Sequence, residues 1–343
     1  MNRRKKFSEL FFSQTKDFLE VFLSRQEGRS METVKAYRAS LNCLFTYITA
    51  ECGLDVVSFG FSDCTYNFML EYSQYLQEKR HVSNSTVNQR LAAVKSYLKY
   101  VSDGDAALAQ VYLSAKKVPV LKIDQLQRPV IEKQDLNALL ESPANTKIGR
   151  RDRMILILLF DSAIRVSELL NITIGDISLE AASPSILIHG KGKKQRTVTP
   201  SPKTVGHLRE YIRSFHGTET VPESFLFYTV IHGRTNRMSV RNVERIVDKY
   251  AGIVRTKSSS MPDNCYPHMM RRTRATGLYR DGVPIEMVSA ILGHSNTETT
   301  KIYASPSVEQ LRENMQKGQT DDTYTKKLWE GREDETRKIF GLI

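Results

Sequence analysis

The sequence lacks a long apolar run. Its longest purely apolar stretch, Met154–Phe160, is far too short to cross a bilayer. The basic start MNRRKKFSEL is not followed by the apolar stretch of a secretion signal. These absences argue against a membrane-spanning or secreted protein, and we expect the chain to act in the cytoplasm without contact with a membrane.

Cysteine is also scarce. The four cysteines form no CxxC pair, so the sequence contains neither a disulfide framework nor the ligand spacing of a zinc site. We expect them to be buried thiols, and the sequence offers no carboxylate cluster suited to a metal ion. The four positions are Cys43, Cys52, Cys64 and Cys265.

Positive charge is abundant. The 343 residues carry a net charge of +12, and Lys and Arg outnumber Asp and Glu in both 1–120 and 121–310. Such a chain is attracted to a polyanion, and nucleic acid is a better candidate than an acidic membrane surface. Residues 311–343 have balanced charge and do not form a basic arm. The length predicts two domains.

Residues 7–102 show helical periodicity. Two similar starts, at Ser30 and Ser83, each place a capping serine before an apolar-periodic run. The basic residues of both helices fall away from the apolar stripes, which is typical of a solvated helix face and equally of a DNA-binding face. These residues are Lys35, Arg38, Arg90, Lys95 and Lys99.

The helical pattern fades around Pro119, which indicates an interdomain linker. We therefore predict a helical DNA-binding domain at 1–115, a linker at 116–128, a catalytic domain at 129–316 and a tail at 317–343. The predicted fold class is mainly α with a small antiparallel sheet.

The second domain begins with helical patterns in IEKQDLNALLES and RRDRMILILLFDSAIRVSELLNI. The alternating segment ILIHGKGKKQRTVTP, with Gly190 and Gly192 at its centre, predicts a β-hairpin with a basic tip. Further helices are predicted at 203–215, 239–255, 268–280 and 284–292.

Taken singly, the polar residues of this domain have ordinary explanations. Arg165 could pair with Glu168, GKGKKQR is a possible solvated hairpin tip without P-loop spacing, and His294 could cap a helix. His268 and Arg271 stand three residues apart and therefore share a helix face.

Together, these motifs come in an order that resembles the tyrosine recombinase (phage integrase) family, especially its Xer-type and transposon-borne members. The resemblance covers residues 7–316. Its motifs are AIRVSEL with Arg165, GKGKKQR with Lys191, HMMR with His268 and Arg271, LGH with His294, and Tyr303 nine residues further on. At Ala163 the family commonly has glycine, a change that we expect to cost little in a helix. Arg272 stands where a histidine is frequent and is expected to reach the phosphate or DNA backbone.

The resemblance implies a helical core-binding domain followed by an α+β catalytic domain, with no cofactor or metal. Tyr303 would be the nucleophile that forms a 3′-phosphotyrosyl bond. Arg165 and Arg271 would bind the non-bridging phosphate oxygens. Lys191 would be the general acid, because a lysine beside two arginines should have a lowered pKa. His268 would accept the tyrosine proton or bond a non-bridging oxygen, and His294 would bond the same phosphate.

The expected partner is double-stranded DNA, bound by one or two subunits per site and then by a homo-tetramer on two sites, with a Holliday junction as the intermediate. Expected DNA contacts are Lys35, Arg38, Arg90, Lys95, Lys193, Lys194, Arg196, Arg241 and Arg245. Large apolar residues of the tail could pack on their own domain or dock on a neighbouring subunit. They are Leu311, Met315, Trp329, Ile339, Phe340, Leu342 and Ile343.

Two other functions remain open. A type IB topoisomerase shares the catalytic residue types but relaxes supercoils instead of joining two sites. A DNA-binding regulator could keep the fold and lose the reaction. The divergent tail and the lack of an added arm-binding domain favour a recombinase that integrates and excises a mobile element.

Overall fold

The computed structural model describes residues 6–123, 129–180, 182–190, 194–217, 220–293 and 332–343. The chain divides into two compact units, Met1–Gln127 and Arg128–Ile343. The first unit is helical, and the second combines helices with two small antiparallel sheets. This confirms the mainly α fold class that the sequence predicts.

Five α-helices build the described part of the first unit. Serine and threonine side chains begin three of them: Ser30, Thr65 and Ser83 each accept a hydrogen bond from the backbone N–H three residues on. The helices are α1 (Thr15–Asp17, continued as a π-helix over Phe18–Gln26), α2 (Met31–Thr46, continued over Tyr47–Glu51), α3 (Tyr66–Glu78), α4 (Asn84–Gly104) and α5 (Ala109–Lys116).

Aromatic rings fill the core of this unit. Tyr97 lies at its centre and contacts Phe11, Phe18 and Phe61 with ring centroids 5.3–6.1 Å apart. Its hydroxyl donates to the Phe11 carbonyl at 2.6 Å and accepts the Gln14 N–H at 3.3 Å. The buried ring therefore keeps its polar end satisfied, as buried tyrosines normally do.

The segment predicted as a linker starts as part of this unit. Val118 is buried in the first core. The Asn88 side chain donates to the Leu121 carbonyl at 2.8 Å and accepts the Leu121 N–H at 2.9 Å. These contacts fix residues 117–121 against α4, and residues 124–128 lie outside the described part of the chain.

The second unit holds α6 to α13 and β1 to β5. A three-stranded antiparallel sheet has the order β1-β2-β3, with Ile188 paired to Arg196 and His189 to Gln195. The second sheet is the pair β4-β5. The elements are α6 (Lys133–Glu141), α7 (Lys147–Asp161), α8 (Val166–Asn171), β1 (Ile177–Ser178), β2 (Ser185–His189), β3 (Gln195–Val198), α9 (Pro202–His216), β4 (Tyr228–Ile231), β5 (Arg234–Arg237), α10 (Val240–Arg255), α11 (Pro267–Arg280), α12 (Ile285–Leu292) and α13 (Glu333–Ile339).

One apolar core joins most of these elements. Leu156 and Leu159 of α7, Ile186 of β2 and Val247 of α10 are fully buried within it. Among the helices of the described ranges, none is long and apolar enough to cross a bilayer. The predicted hairpin and the four later helices are present, with bounds within two residues of those predicted.

The prediction of one helix through Arg165 is wrong. α7 ends at Asp161 and α8 begins at Val166, and between them Ala163 has a left-handed φ of +48°. An L-residue in this conformation costs about 1–2 kcal/mol, which explains why the family commonly has glycine here. Ala163 therefore lies in a turn, not in a helix as expected.

Two further expectations need correction or narrowing. Cys64 and Cys265 are buried thiols, but Cys43 only partly packs against the first core and Cys52 is exposed where the continuation of α2 ends. In the tail, the large apolar side chains of the described residues are exposed and do not pack on their own domain. These are Ile339, Phe340, Leu342 and Ile343, whereas Leu311, Met315 and Trp329 lie outside the described residues.

Candidate active site

Arg165 stands at the N-terminus of α8, at the end of the left-handed turn. Its backbone N–H donates to Oε2 of Glu168 at 2.9 Å, and its Nη1 donates to Oε1 at 2.8 Å. A carboxylate in the first turn also favours the helix N-terminus electrostatically. The Arg165 side chain remains 41% exposed, so Glu168 fixes a guanidinium group that an anion can reach.

Glu168 also holds a second arginine. Arg196 of β3 donates from Nη1 to Oε1 at 3.1 Å and from Nη2 to Oε2 at 2.9 Å, a paired geometry that favours planar recognition. Burial acts to raise the pKa of Glu168, but the hydrogen bonds and charges of Arg196 and Arg165 lower it to about 2. Glu168 is therefore ionised at any working pH and joins α8 to β3.

The sequence predicts Glu168 only as an ordinary partner of Arg165. Arg196 is predicted as a DNA contact, whereas its side chain is 17% exposed and paired with Glu168. The signal for this pair was the hairpin register, because the outward or inward direction of Arg196 follows from its cross-strand partner, Ile188.

The hairpin between β2 and β3 closes beside this carboxylate. The Gly190 N–H donates to the Lys194 carbonyl at 2.7 Å. A methyl group on Gly190 would lie 3.2 Å from the Lys194 oxygen and 3.9 Å from Glu168 Oε1, so glycine lets the strands close tightly here. The predicted residues Lys191 and Lys193 lie outside the described residues, and Lys194 is exposed.

Arg271 is the largest fully buried side chain of the described residues. From α11 it donates Nη1 to the Ala163 carbonyl at 2.5 Å and Nη2 to the Leu292 carbonyl at 2.7 Å. It thus ties the turn before Arg165 to the end of α12. His268, one helical turn before Arg271, is exposed at the same helix's start.

The end of α12 approaches the same cluster. Gly293 follows α12 with a left-handed φ of +64°, and a methyl group on it would lie 3.0 Å from the Arg196 side chain. Glycine thus satisfies both the backbone turn and the close approach. The predicted His294 and Tyr303 lie outside the described residues.

The expectation that Arg272 reaches DNA is wrong. Its side chain is buried, and it donates Nη1 to the Pro129 carbonyl and Nη2 to the Tyr266 hydroxyl, both at 3.0 Å. Position 272 follows Arg271 on the helix and so faces the core at a different angle. Arg272 therefore fixes the start of the second unit.

The basic residues predicted to contact DNA in the first unit differ in exposure. Lys35 and Arg38 are both exposed, and each forms an ion pair with a glutamate. Arg90 and Lys95 are half-buried, and Lys95 donates to the Val118 carbonyl at 2.7 Å. Burial lowers the pKa of Lys95. Its amine is thus engaged inside the unit.

In the second unit, Arg241 and Arg245 are both exposed in the first turns of α10. Arg245 donates to the Asn242 side chain. Both arginines are accessible to a polyanion, and Lys194 is accessible at the hairpin.

The described part of the site brings three predicted residues together, Arg165, Arg196 and Arg271. Arg165 and Arg196 share Glu168, Arg271 holds the turn before Arg165, and Gly293 lies against Arg196. An accessible guanidinium group on a fixed carboxylate, with further buried positive charge behind it, suits stabilisation of an anionic transition state. Within the described residues no group of three or more His, Cys, Asp or Glu could hold a metal ion.

Comparison with known proteins adds relatives along both units. Residues 129–310 match the sequence profile of the phage integrase family, and residues 11–118 match that of the phage integrase SAM-like domain. The tyrosine recombinase XerC of Bacillus subtilis is 28% identical over 312 residues, which cover 87% of this chain and 94% of that protein. XerC of Pelobacter propionicus is 30% identical over 301 residues, covering 85% and 90%.

Solved structures share the fold. The integrase of transposon Tn1549, in complex with transposon right end DNA, has a TM-score of 0.68 at 17% identity and covers 91% of this chain and 99% of its own. XerH recombinase bound to a palindromic difH substrate has a TM-score of 0.67 at 18% identity, covering 87% and 83%. A lambda integrase tetramer bound to a Holliday junction has a TM-score of 0.56 at 15% identity, covering 85% and 76%.

Proposed function

Because this chain belongs to the phage integrase family and is a tyrosine site-specific recombinase, we propose that it cuts and rejoins DNA through a 3′-phosphotyrosyl bond to Tyr303. A phosphotyrosine ester keeps the energy of the broken bond, so resealing needs no ATP. The observation that carries the proposal is the ordered motif set that ends at Tyr303, together with an accessible Arg165 fixed by Glu168.

Arginines would stabilise the transition state. Cleavage gathers negative charge on the non-bridging phosphate oxygens, and a guanidinium fork suits those oxygens and stays charged. Arg165 is the first donor. Arg271 supplies positive charge at short range from its buried position, and its direct contact with the phosphate requires one edge of the guanidinium to become accessible on DNA binding. His294 would bond the same phosphate.

Proton transfers would fall to Lys191 and His268. The departing 5′ oxygen requires a proton, which Lys191 at the hairpin tip would give. His268, exposed at the start of α11, would accept the Tyr303 proton or bond a non-bridging oxygen. The reaction would use no cofactor.

A nicked suicide substrate tests the nucleophile. The wild type should become covalently attached to the labelled DNA, and Tyr303→Phe should form no covalent complex while binding the same DNA with nearly unchanged affinity. Attachment by the Phe variant would show that another residue is the nucleophile. Tyr66→Phe, which removes the hydroxyl of an exposed tyrosine in the first unit, is the matched control and should still attach.

Arg165→Ala tests the charge stabilisation. Removal of one preorganised donor costs about 10²–10³ in rate, and loss of a full positive charge should exceed that. Single-turnover cleavage of the suicide substrate measures the change, and Arg213→Ala on α9 provides a control in the same unit. Unchanged cleavage by Arg165→Ala would contradict the role.

DNA binding would rely on phosphate contacts by both units, so the affinity should fall steeply with salt. The proposed contacts remain Lys35, Arg38, Arg90, Lys95, Lys193, Lys194, Arg196, Arg241 and Arg245. Of these, Lys95 and Arg196 are engaged within the protein and should contribute least. A salt-insensitive affinity would contradict phosphate-based binding.

Strand exchange would proceed in the cytoplasm on two DNA sites, each bound by one or two subunits before a homo-tetramer forms, with a Holliday junction between the two rounds of cleavage. The exposed apolar tail residues support docking on a neighbouring subunit. Truncation after Gly318 should weaken assembly more than binding to a single site, as measured by gel shifts with one-site and two-site DNA. Equal loss of both would contradict the docking role.

Integration and excision of a mobile element is the proposed biological role. The similarity to a transposon integrase over 91% of this chain supports this role. A Xer recombinase is similar over 87% of the chain. Joining of a cleaved strand to a second duplex would separate this activity from that of a type IB topoisomerase, and covalent trapping would separate it from that of a catalytically silent regulator.

A further inference from the structure

His189 is the last residue of β2, two positions before Lys191. It pairs across the sheet with Gln195, and the Gly190 N–H to Lys194 carbonyl hydrogen bond lies next along the hairpin. His189 therefore lies at the point where the hairpin tip begins. The proposed function gives a role to Lys191 at the tip but none to His189.

The His189 ring is held at both nitrogens. Nε2 lies 2.8 Å from Oδ1 of Asp176, and Nδ1 lies 3.2 Å from Nε2 of the Gln195 amide. An amide NH₂ group only donates, so Nδ1 accepts and Nε2 carries the hydrogen that Asp176 receives. A neutral imidazole therefore satisfies both contacts.

Asp176 is itself fixed by the backbone. Its Oδ2 accepts the Thr173 N–H and the Thr173 hydroxyl, both at 2.9 Å, in the turn just before β1. Burial acts to raise the pKa of Asp176, but the hydrogen bonds from Thr173 and His189 lower it below its ordinary value. The carboxylate is therefore ionised and has a set orientation towards His189.

The carboxylates of Glu168 and Asp176 bind side chains on opposite faces of the same hairpin. Arg196 pairs across the strands with Ile188, whose side chain is buried, whereas His189 is the next residue and faces the other way. Glu168 thus holds the inner face through Arg196, and Asp176 holds the outer face through His189. A hairpin anchored on one face can tilt about that contact, whereas two opposed anchors remove the tilt.

We propose that His189 and Asp176 are positioning residues for the general acid, because they fix the base of the hairpin so that the Lys191 amine meets the leaving oxygen. The inference rests on the proposed role of Lys191. In that step the Tyr303 oxygen bonds to phosphorus, the bond from phosphorus to the 5′ oxygen breaks, and the Lys191 proton passes to that oxygen. His189 and Asp176 touch none of the reacting atoms.

A substrate with sulfur in place of the bridging 5′ oxygen tests this role. A thiol has a pKa near 8.5, so a thiolate leaves without a proton, whereas an alkoxide requires one. Misplacement of a general acid therefore slows cleavage of the oxygen substrate only. Single-turnover cleavage of both substrates is measured for the wild type, His189→Ala, Asp176→Asn, His189→Gln and Lys191→Ala, with His207→Ala on α9 as the matched histidine control.

We expect Lys191→Ala to cleave the oxygen substrate about 10²–10⁴-fold more slowly and the sulfur substrate nearly as fast as the wild type. His189→Ala and Asp176→Asn should lose roughly tenfold or more on oxygen, within that general-acid range, and be restored on sulfur. His189→Gln, which keeps a donor for Asp176, should recover part of the loss. His207→Ala should match the wild type on both substrates.

The outcomes separate the two proposals. If Lys191→Ala is equally slow on both substrates, Lys191 is not the general acid and the function proposed for it fails, and the inference with it. If Lys191→Ala is restored by sulfur but His189→Ala and Asp176→Asn are slow on both, the pair supports the fold alone and only the inference fails. Wild-type rates for His189→Ala and Asp176→Asn on the oxygen substrate would also overturn it.

Discussion

The two units bury different side chains. In the described residues of the first unit, the buried polar side chains other than tyrosines are Ser40 and Ser73, and rings such as Phe11 and Tyr97 fill the core. The second unit, within its described ranges, buries five charged side chains, Asp135, Asp152, Glu168, Arg271 and Arg272, beside its apolar core. Burying a charge is unfavourable unless it is paired and hydrogen-bonded, so the second unit sacrifices stability to fix charge in place.

This difference matches the division of labour. A unit that contacts DNA from its surface can be stabilised by apolar packing alone, whereas a catalytic unit must hold groups at set positions before the substrate arrives. The buried charges in the described part of the second unit all lie on helices.

The largest effect should come from Arg271→Met. The variant leaves the Ala163 and Leu292 carbonyls without their donor, and each buried acceptor left without a partner costs about 1–3 kcal/mol. Urea unfolding measures the loss. Hydrogen exchange should speed up in α8 and α12 and stay unchanged in the first unit.

Arg241→Met, at an exposed position of α10, is the matched control and should cost little. If both variants lose the same stability, the buried arginine does not hold the second unit together and the contrast between the units is lost.

Glu168→Gln should remove a pH-dependent part of the stability. The folded pKa of Glu168, about 2, lies below its ordinary value of 4.5, so its contribution is complete above about pH 4.5 and is lost as the pH falls towards 2. At pH 7 the variant should be less stable by about 2–3 kcal/mol, and the gap should close on acidification. Unfolding curves from pH 7 to pH 3 measure this.

Asp176 loses its contribution in the same acidic direction in both proteins, so the difference between the two curves isolates Glu168. Glu244→Gln, at an exposed position of α10, should show no such gap. A gap that persists unchanged at pH 3 would assign the loss to packing instead of charge.

Tyr97→Phe probes the first unit. The ring contacts survive, but the Phe11 carbonyl loses its donor and the Gln14 N–H loses its acceptor, which should cost about 1–2 kcal/mol. Urea unfolding followed by the local exchange of α4 measures it. Tyr100→Phe, in the same ring cluster, should cost less. Equal costs would mean that the first unit depends on ring packing alone.

The smallest effect should come from Ala163→Gly. Relief of the left-handed strain, about 1–2 kcal/mol, is offset by the lost buried methyl and the greater freedom of the unfolded chain, so the net change should stay below about 1 kcal/mol. Ala275→Gly removes a methyl from the same small cluster at a helical position and should destabilise clearly more. Equal losses would show that the turn stores no strain.

Much of the fold was readable from local patterns. Ser30 and Ser83, as capping residues, predict two helices, and the alternation of apolar residues on both sides of Gly190 predicts the hairpin. Both signals depend on only a few neighbouring residues. The break at Ala163 was not readable, since the apolar period continues through it and a tertiary contact from Arg271 holds the turn. Within the predicted linker, Val118 is buried and its carbonyl accepts from Lys95 of α4, contacts that the sequence around Pro119 does not indicate.

The site divides in the same way. The motifs of the sequence predict three site residues, because the order of the motifs indicates which residue types come together in the site. They are Arg165, His268 and Arg271. The sharing of Glu168 between Arg165 and Arg196 could not be predicted, because it depends on the distance between α8 and β3. The exposure of a side chain could not be predicted either. Lys95 and Arg272 are predicted as surface cations, yet each donates to a backbone carbonyl of its own unit.

Because Glu168 divides its two oxygens between Arg165 and Arg196, the three positions should behave as one genetic unit. A Glu168→Lys change gathers three positive groups, and reversal at either arginine position relieves only half of the conflict. A one-step search for suppressors of Glu168→Lys should therefore recover no second-site change at 165 or 196. A diverging lineage would keep or replace the three residues as a set.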